Sequence, residues 1–376
     1  MTDRPLVIVG AGCAGLSLAV ALLDAGWDPP LVLLERRTDY TRDRTWCFWD
    51  TGDVPWTHLA DASWARWRIG DAVQEADEHP YVQLPADRFY AAALGRLRRA
   101  RHVELRRGVR VLGLAERGDG VQLRTTAGVV SAAHVVDCRG PAHPAVRAAV
   151  RDGLTQRFLG QFVRTDRPCF DPGEATLMAF HGDHPRELRF VYTLPVSDRE
   201  ALVEDTSFAW HTTPSRDRRR AIAAAVAQPF TVTGSEAGAI PMSAVSVPQT
   251  SRVWAAGLPA GAARPSSGYA FVRIQAQAAA MAQALCDGRT RPPRVGSARR
   301  DALDAVFLRA LDADPPAFAA HLEALASGVD GDVLARFMND ASSPADELRV
   351  MAALPPLPFL RAAAGTALPL PARGNG

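Results

Sequence analysis

The chain opens on an unbroken apolar run, Leu6-Val7-Ile8-Val9, followed by a glycine-rich turn from Gly10 to Gly15. A run this short and apolar predicts a strand buried on both faces of a parallel sheet. Leu16 to Asp24 then reads as a helix with Gly26 just past its end. Leu31-Val32-Leu33-Leu34 predicts a second strand closing on Glu35. A helix is expected near residues 87–99, a hairpin-like stretch over 103–126, and another buried strand over 133–137 that closes on Gly140. Residues 154–250 carry alternating, aromatic and β-branched runs, which predict a sheet domain. Within it, 188–196 and 201–208 read as a hairpin about the polar turn Ser197-Asp198-Arg199. The pattern returns to a strand at Val253-Trp254-Ala255-Ala256, then a Gly/Pro-rich loop, then a long helix from about Tyr269 to Cys286. Residues 300–376 read as helices broken at Pro315-Pro316 and Pro355-Pro356, with a frayed Gly374-Asn375-Gly376 end and no internal repeat anywhere.

The 376 residues exceed one ordinary core. The elements divide them into a Rossmann-type portion over 1–150, a mainly β substrate domain over 151–250, a returning strand and helix over 251–290, and a helical region over 291–376. The expected class is therefore α/β, a dinucleotide-binding domain with an inserted antiparallel sheet and a helical C-terminal region. A net charge of +2 argues against a nucleic-acid partner. All 43 basic residues are Arg, which excludes lysine Schiff-base chemistry. Cys13, Cys47, Cys138, Cys169 and Cys286 form no C-x-x-C pair and no metal-ligand spacing, so no metal is expected. Their odd, scattered set suggests reduced thiols in the cytoplasm. Nothing before Leu6 reads as a signal peptide, and no apolar run reaches the roughly 20 residues that span a bilayer. A peripheral contact on the inner face of the cell membrane stays open, because it needs no spanning helix.

Gly10-Ala11-Gly12-Cys13-Ala14-Gly15 is a G-x-G-x-x-G turn between strand and helix, with Glu35 about 20 residues on. Gly10 permits the tight turn, Gly12 and Ala14 the approach of a pyrophosphate, and Gly15 close packing of helix on strand. Glu35 is the candidate acceptor for ribose hydroxyls. Two further segments favour FAD over NAD. Val135-Val136-Asp137-Cys138-Arg139-Gly140 resembles the second motif of flavoproteins. The late loop carrying Gly257, Gly261, Arg264, Pro265 and Gly268 resembles their flavin-contacting segment. Where flavoproteins usually carry Gly-Asp, this chain has Gly257-Leu258.

Several segments together resemble the bacterial, flavin-dependent lycopene cyclases of the β-cyclase type. They are Thr45-Trp46-Cys47-Phe48-Trp49, Phe190-Val191-Tyr192-Thr193-Leu194-Pro195, Leu202-Val203-Glu204-Asp205-Thr206, Glu236-Ala237-Gly238-Ala239-Ile240-Pro241 and Pro265-Ser266-Ser267-Gly268-Tyr269. The order spans nearly the whole chain. Arg44 is a departure, since the family often has His there. The resemblance implies ring closure at the linear ends of lycopene to β-ionone-type rings. That reaction is non-redox and proton-initiated, with reduced FAD as cofactor and NAD(P)H as the reductant. It implies Glu204 as acid, with Asp205 structural or tuning and Glu236 a second carboxylate. Trp46, Phe48, Trp49 and Tyr192 become candidate walls of a cavity for a hydrophobic polyprenyl or carotenoid substrate. Strand alternation sends Glu204 and Asp205 to opposite faces without saying which face is the cavity. Competing readings are a cyclase of another polyprenyl chain, an FAD-dependent monooxygenase, an isoprenoid double-bond reductase and a non-enzymatic carrier. The apolar stretch from Met351 to Ala364 is a candidate membrane-surface segment that could equally close the cavity.

Overall fold

The computed structural model describes residues 4–52, 54–182, 186–210, 214–294 and 296–365; the expected frayed end at residues 374–376 lies outside them. Five strands form an all-parallel sheet in the order β18 (Val253–Ala255), β12 (His134–Asp137), β1 (Leu6–Val9), β2 (Leu31–Glu35) and β8 (Val103–Arg107). β1 and β2 are buried throughout, as unbroken apolar runs require. Against one face pack α1 (Cys13–Asp24), α2 (Ala86–Leu97) and α5 (Phe271–Cys286). The other face is covered by a three-stranded meander of β9 (Val111–Arg117), β10 (Gly120–Thr125) and β11 (Gly128–Ala132). The expected hairpin over 103–126 is thus divided. Its first five residues join the parallel sheet beside β2, because each apolar residue of Val103–Arg107 finds a buried neighbour there.

The second layer is a seven-stranded mixed sheet, ordered β17 (Phe230–Pro241), β13 (Thr155–Thr165), β16 (Glu200–Ala209), β15 (Glu187–Pro195), β14 (Glu174–Phe180), β5 (Arg66–Ile69) and β6 (Ala72–Glu75). The last two strands come from the first 150 residues, and β5 runs parallel to β14, so the substrate sheet is neither wholly antiparallel nor confined to 151–250. A small sheet of β3 (Thr45–Trp49), β7 (Tyr81–Pro85) and β4 (Ala62–Trp64) bridges the two large ones. α3 (Pro144–Asp152) links the layers, and α4 (Ser215–Val226) covers the back of the mixed sheet. α6 (Ala298–Ala313), α7 (Pro315–Gly328), α8 (Gly331–Met338), α9 (Pro344–Ala353) and α10 (Pro356–Ala364) close the front. α7 and α10 start at the proline pairs, where Pro is tolerated in a first turn.

The glycine turn holds the parallel sheet to α1. Gly10 sits at φ +93°, and a Cβ on Gly15 would overlap the Gly10 carbonyl oxygen. We expect Gly15→Ala to lower stability by about 1–3 kcal/mol, the range for overpacking a fixed backbone contact. Urea denaturation reads this directly, and an unchanged midpoint would show that the turn can move.

Candidate functional site

A single cavity of about 1200 Å³ runs from the glycine turn, across the front of the mixed sheet, to α10. Gly10, Gly12, Ala14 and Glu35 line one end; Leu325, Phe337 and Phe359 line the other. At the first end no side chain caps α1, and Gly12, Cys13 and Ala14 border the cavity, so the first-turn amides are left for an anion. The Glu35 carboxylate is held by the Ala11 and Arg37 amides at 2.8 and 2.9 Å. Amide donors beside a fixed carboxylate fit a dinucleotide's pyrophosphate and ribose. Arg37, which sequence reasoning passed over, lies over the rings of Tyr40 and Tyr90 and lines the same end.

The loop residues divide. Gly140, Gly257 and Gly268 line the cavity, while Asp137, Gly15, Gly261 and Pro265 do not. Asp137 is buried and engaged by Arg139 at 2.6 Å, so it shapes the turn after β12 and does not present a carboxylate to a ligand. Gly261 packs against the Val245 carbonyl, and Pro265 is buried in its loop. Arg264 borders the cavity, but its guanidinium is committed. It pairs with Asp304 at 3.1 Å, donates to the Phe337 carbonyl at 2.6 Å and stacks on the Phe337 ring. It therefore ties the late loop to α6 and α8 while bordering the cavity.

The chemistry gathers at the middle of the cavity. Strand register aligns Glu236 of β17, Gly160 of β13, Glu204 of β16 and Tyr192 of β15 in one row. Directly paired residues share a face, so three of these side chains point into the cavity. Gly160 provides the gap between the carboxyls. A Cβ there would lie 3.0 Å from Leu202 and 3.3 Å from both Glu204 Oε2 and Glu236 Cγ. Glu204 Oε1 accepts from Thr206 Oγ1 at 2.7 Å, and Glu236 Oε2 accepts from Thr45 Oγ1 at 2.9 Å. Burial, reinforced by the facing Glu236, pushes the Glu204 carboxyl up to about 8. Burial pushes Glu236 up to about 7, against the pull of Thr45, Arg44 and Arg42. Glu204 thus keeps its proton at neutral pH, which is what a general acid needs, while Glu236 exchanges its proton near neutrality.

Tyr192 continues the row as a hydroxyl chain. Its Oη lies 2.8 Å from that of Tyr81, which lies 2.8 Å from that of Tyr269. Burial raises the pKa of all three and of the Cys47 thiol beside them, so they remain protonated donors. Alternation along β3 sorts its aromatic residues. Trp49 and Cys47 line the cavity, and Trp46 lines it from the core side, edge-on to Phe89 and Tyr90. Phe48 does not line it. It stacks on Phe271 with ring centroids 5.0 Å apart, inside the core beneath α5, which corrects its assignment as a cavity wall.

Asp205 faces the back of the sheet. It is fully buried among Arg218 Nη1 at 2.9 Å, Arg189 Nη2 at 3.0 Å and His181 Nε2 at 2.7 Å. It has no access to the cavity, so of its two expected roles, structural or tuning, it takes the structural one, an anchor between β16, β15 and α4. Gly160, Thr45, Thr206, Tyr81 and Tyr269 were missed as site residues. An interior strand glycine at Gly160 was the one available signal, since such a residue often marks a close approach. Among the described residues no group of three His, Cys, Asp or Glu gathers to hold a metal.

The model of one family, described as lycopene cyclase protein, matches residues 5–364. The chain belongs to the lycopene cyclase family. None of the curated proteins compared matches it. Among solved structures, this lycopene cyclase family member is similar to a geranylgeranyl bacteriochlorophyll reductase-like protein from Thermoplasma acidophilum (TM-score 0.59, 14% identity, 96% of each chain covered). It is also similar to the Diels-Alderase PyrE3 of pyrroindomycin biosynthesis (0.62, 20% identity, 91% of this chain and 81% of that one). A third is aklavinone-11 hydroxylase in complex with FAD and aklavinone (0.55, 17% identity, 76% and 63%). At these identities the likeness is one of fold, and it places this lycopene cyclase family member among flavoprotein-type α/β architectures.

The raised carboxyl pKa values make stability depend on pH. Between about 4.5 and about 8 for Glu204, and about 4.5 and about 7 for Glu236, the folded chain holds protons that the unfolded chain has released. Stability contributed by these groups is therefore present at low pH and falls as pH rises through those windows. We expect the urea midpoint to decline between about pH 5 and about pH 8 and the decline to shrink in Glu204→Gln. Equal slopes in the two proteins would show that Glu204 ionises normally.

Proposed function

We propose that the protein closes the linear ends of lycopene into β-ionone-type rings without net redox change. Reduced FAD is the bound cofactor in this reading, and NAD(P)H is the reductant that prepares it. The observation that carries the proposal is the pair of buried carboxyls facing each other across Gly160 in an apolar cavity, where burial holds both above the ordinary carboxyl range. Glu204 donates its proton to the terminal C=C bond. The adjacent double bond attacks the tertiary cation and forms the ring carbon–carbon bond. A ring proton then leaves to a carboxylate, so the atoms of substrate and product balance. Trp46, Trp49 and Tyr192 exclude water and present π faces to the cation. Glu236 faces Glu204 and raises its pKa, which keeps the acid charged with its proton. Gly10, Gly12 and Ala14 at the β1–α1 turn, with Gly257 of the late loop, would hold FAD, which in its reduced form would supply negative charge toward the cation.

The test is anaerobic incubation with FAD, NADPH and lycopene in liposomes, followed by chromatography and mass analysis. A cyclic product of unchanged mass supports the proposal. Bound, reduced flavin with lycopene left linear overturns it, and an oxygenated product formed only in air points to a monooxygenase.

Access for such a substrate is best supported at the C-terminal helices. No helix among the described residues is long and apolar enough to cross a membrane. Leu348, Met351, Leu357 and Leu360 of α9 and α10 are exposed, and Met351 and Leu360 also border the cavity. Apolar side chains exposed at a cavity rim suit a peripheral bilayer contact. Flotation with anionic liposomes is expected for the unmodified chain and lost in the double substitution Leu357→Glu, Leu360→Glu. Equal flotation of both would remove the membrane contact from the proposal.

A further inference from the structure

A second cavity, of about 490 Å³, adjoins the first and shares Pro141, Arg147 and Ala239 with it. Its walls carry three arginines. Arg147 and Arg151 stand one turn apart on α3, on one face of the helix. Arg157 reaches the same space from β13, where it pairs in register with Ala239. The Arg157 guanidinium donates to the Val150 carbonyl at 2.8 Å, which fixes it, yet its Nε is buried without a partner among the described residues. Buried donors are nearly always satisfied, so an unmet one on a cavity wall calls for a missing acceptor. The Arg147 guanidinium also has no partner among the described residues. Arg151 is engaged by its exposed neighbour Asp152, a pair that water screens. One carboxylate thus serves three guanidinium groups. Burial, and then the nearby Arg218, hold Arg157 below its ordinary pKa, which is what a cation lacking its counter-charge shows. Val146 and Trp210 make the rest of the wall apolar.

We propose that Arg147, Arg151 and Arg157 form a binding site for a phosphate group. Phosphate matches the chemistry because its several acceptor oxygens meet planar guanidinium forks in pairs. The apolar wall has room for the organic part of a phosphate ester. Two sources share this chemistry, a phosphorylated nucleotide reductant and free inorganic phosphate. The shared wall with the large cavity favours the nucleotide. That source rests on the flavin reading above, whereas the phosphate site does not.

Calorimetric titration of the purified, flavin-containing protein with inorganic phosphate and with NADPH tests this. Both probes are expected to bind, to compete, and to bind roughly 10- to 100-fold more weakly in Arg157→Gln and in Arg147→Gln, the effect of losing a charged hydrogen bond. Arg147 is exposed, so its variant carries the test should Arg157→Gln not fold. Phosphate binding that needs these arginines, with NADPH unaffected, supports the site and assigns it to free phosphate. No phosphate binding by the unmodified protein, or binding unchanged in both variants, overturns the proposal. Flavin content, read from its absorbance in each sample, reports separately on the flavin reading.

Discussion

Glu204→Gln is expected to slow ring closure by about 10²–10⁴-fold, the usual contribution of a positioned general acid. The amide keeps the shape of the acid and its contact with Thr206 but cannot donate a proton to an alkene. The measurement is single-turnover product formation with flavin content matched between variants. The pH profile carries a second signature. With the acid at about 8, the rate of the unmodified enzyme should hold through neutrality and fall about tenfold per pH unit above about pH 8. The residual rate of Glu204→Gln should lack that break. Loss of less than tenfold, or an unaltered profile, would move the proton donor to Glu236 or to the tyrosine chain.

Arg218→Met is expected to destabilise the fold by about 3–5 kcal/mol, the cost of removing one partner from a buried ion pair. Arg218 donates to both Asp205 Oδ2 and the Asp205 carbonyl, and to Ser207 Oγ at 2.7 Å. Its loss leaves an anion and two further acceptors buried and short of donors. The double substitution Asp205→Leu, Arg218→Met should cost less than the sum of the single changes, since neither partner is then stranded. Urea denaturation of the four proteins closes the cycle. Additive effects would show that Arg189 and His181 alone satisfy Asp205.

The dinucleotide half was legible because its signals are local. Four apolar residues, a fixed glycine spacing and an acidic strand end specify β1, α1, β2 and Glu35 with few alternatives. The hairpin of β15 and β16 was legible for the same reason: period-two alternation on either side of a polar turn. What was not legible depended on distant parts of the chain. Arg66–Ile69 and Ala72–Glu75 are too short to announce a sheet; the first is placed beside β14 by a parallel pairing across more than a hundred residues, and the second follows it as an antiparallel neighbour. Arg264 read as a flavin neighbour because of the loop it sits in; its partner Asp304 lies 40 residues on. Phe48 and Trp49 read alike as aromatic residues, and only the packing of α5 against β3 separates core from cavity. Gly160 stood in plain view within Thr155–Thr165. Its meaning came only when register set Glu204 on one side and Glu236 on the other.

Glu204 and Asp205 are neighbours in sequence on opposite faces of β16. Their roles are therefore assigned by parity, odd against even positions along one strand. One residue inserted or deleted between Glu200 and Glu204 would turn the anchor toward the cavity and the acid toward Arg189, Arg218 and His181. The turn at 196–199 can change length without that consequence, because it lies outside the paired register. Descendants of this chain should accumulate insertions and deletions in that turn while the interval from Glu200 to Ala209 keeps its length, even where most of its side chains are replaced.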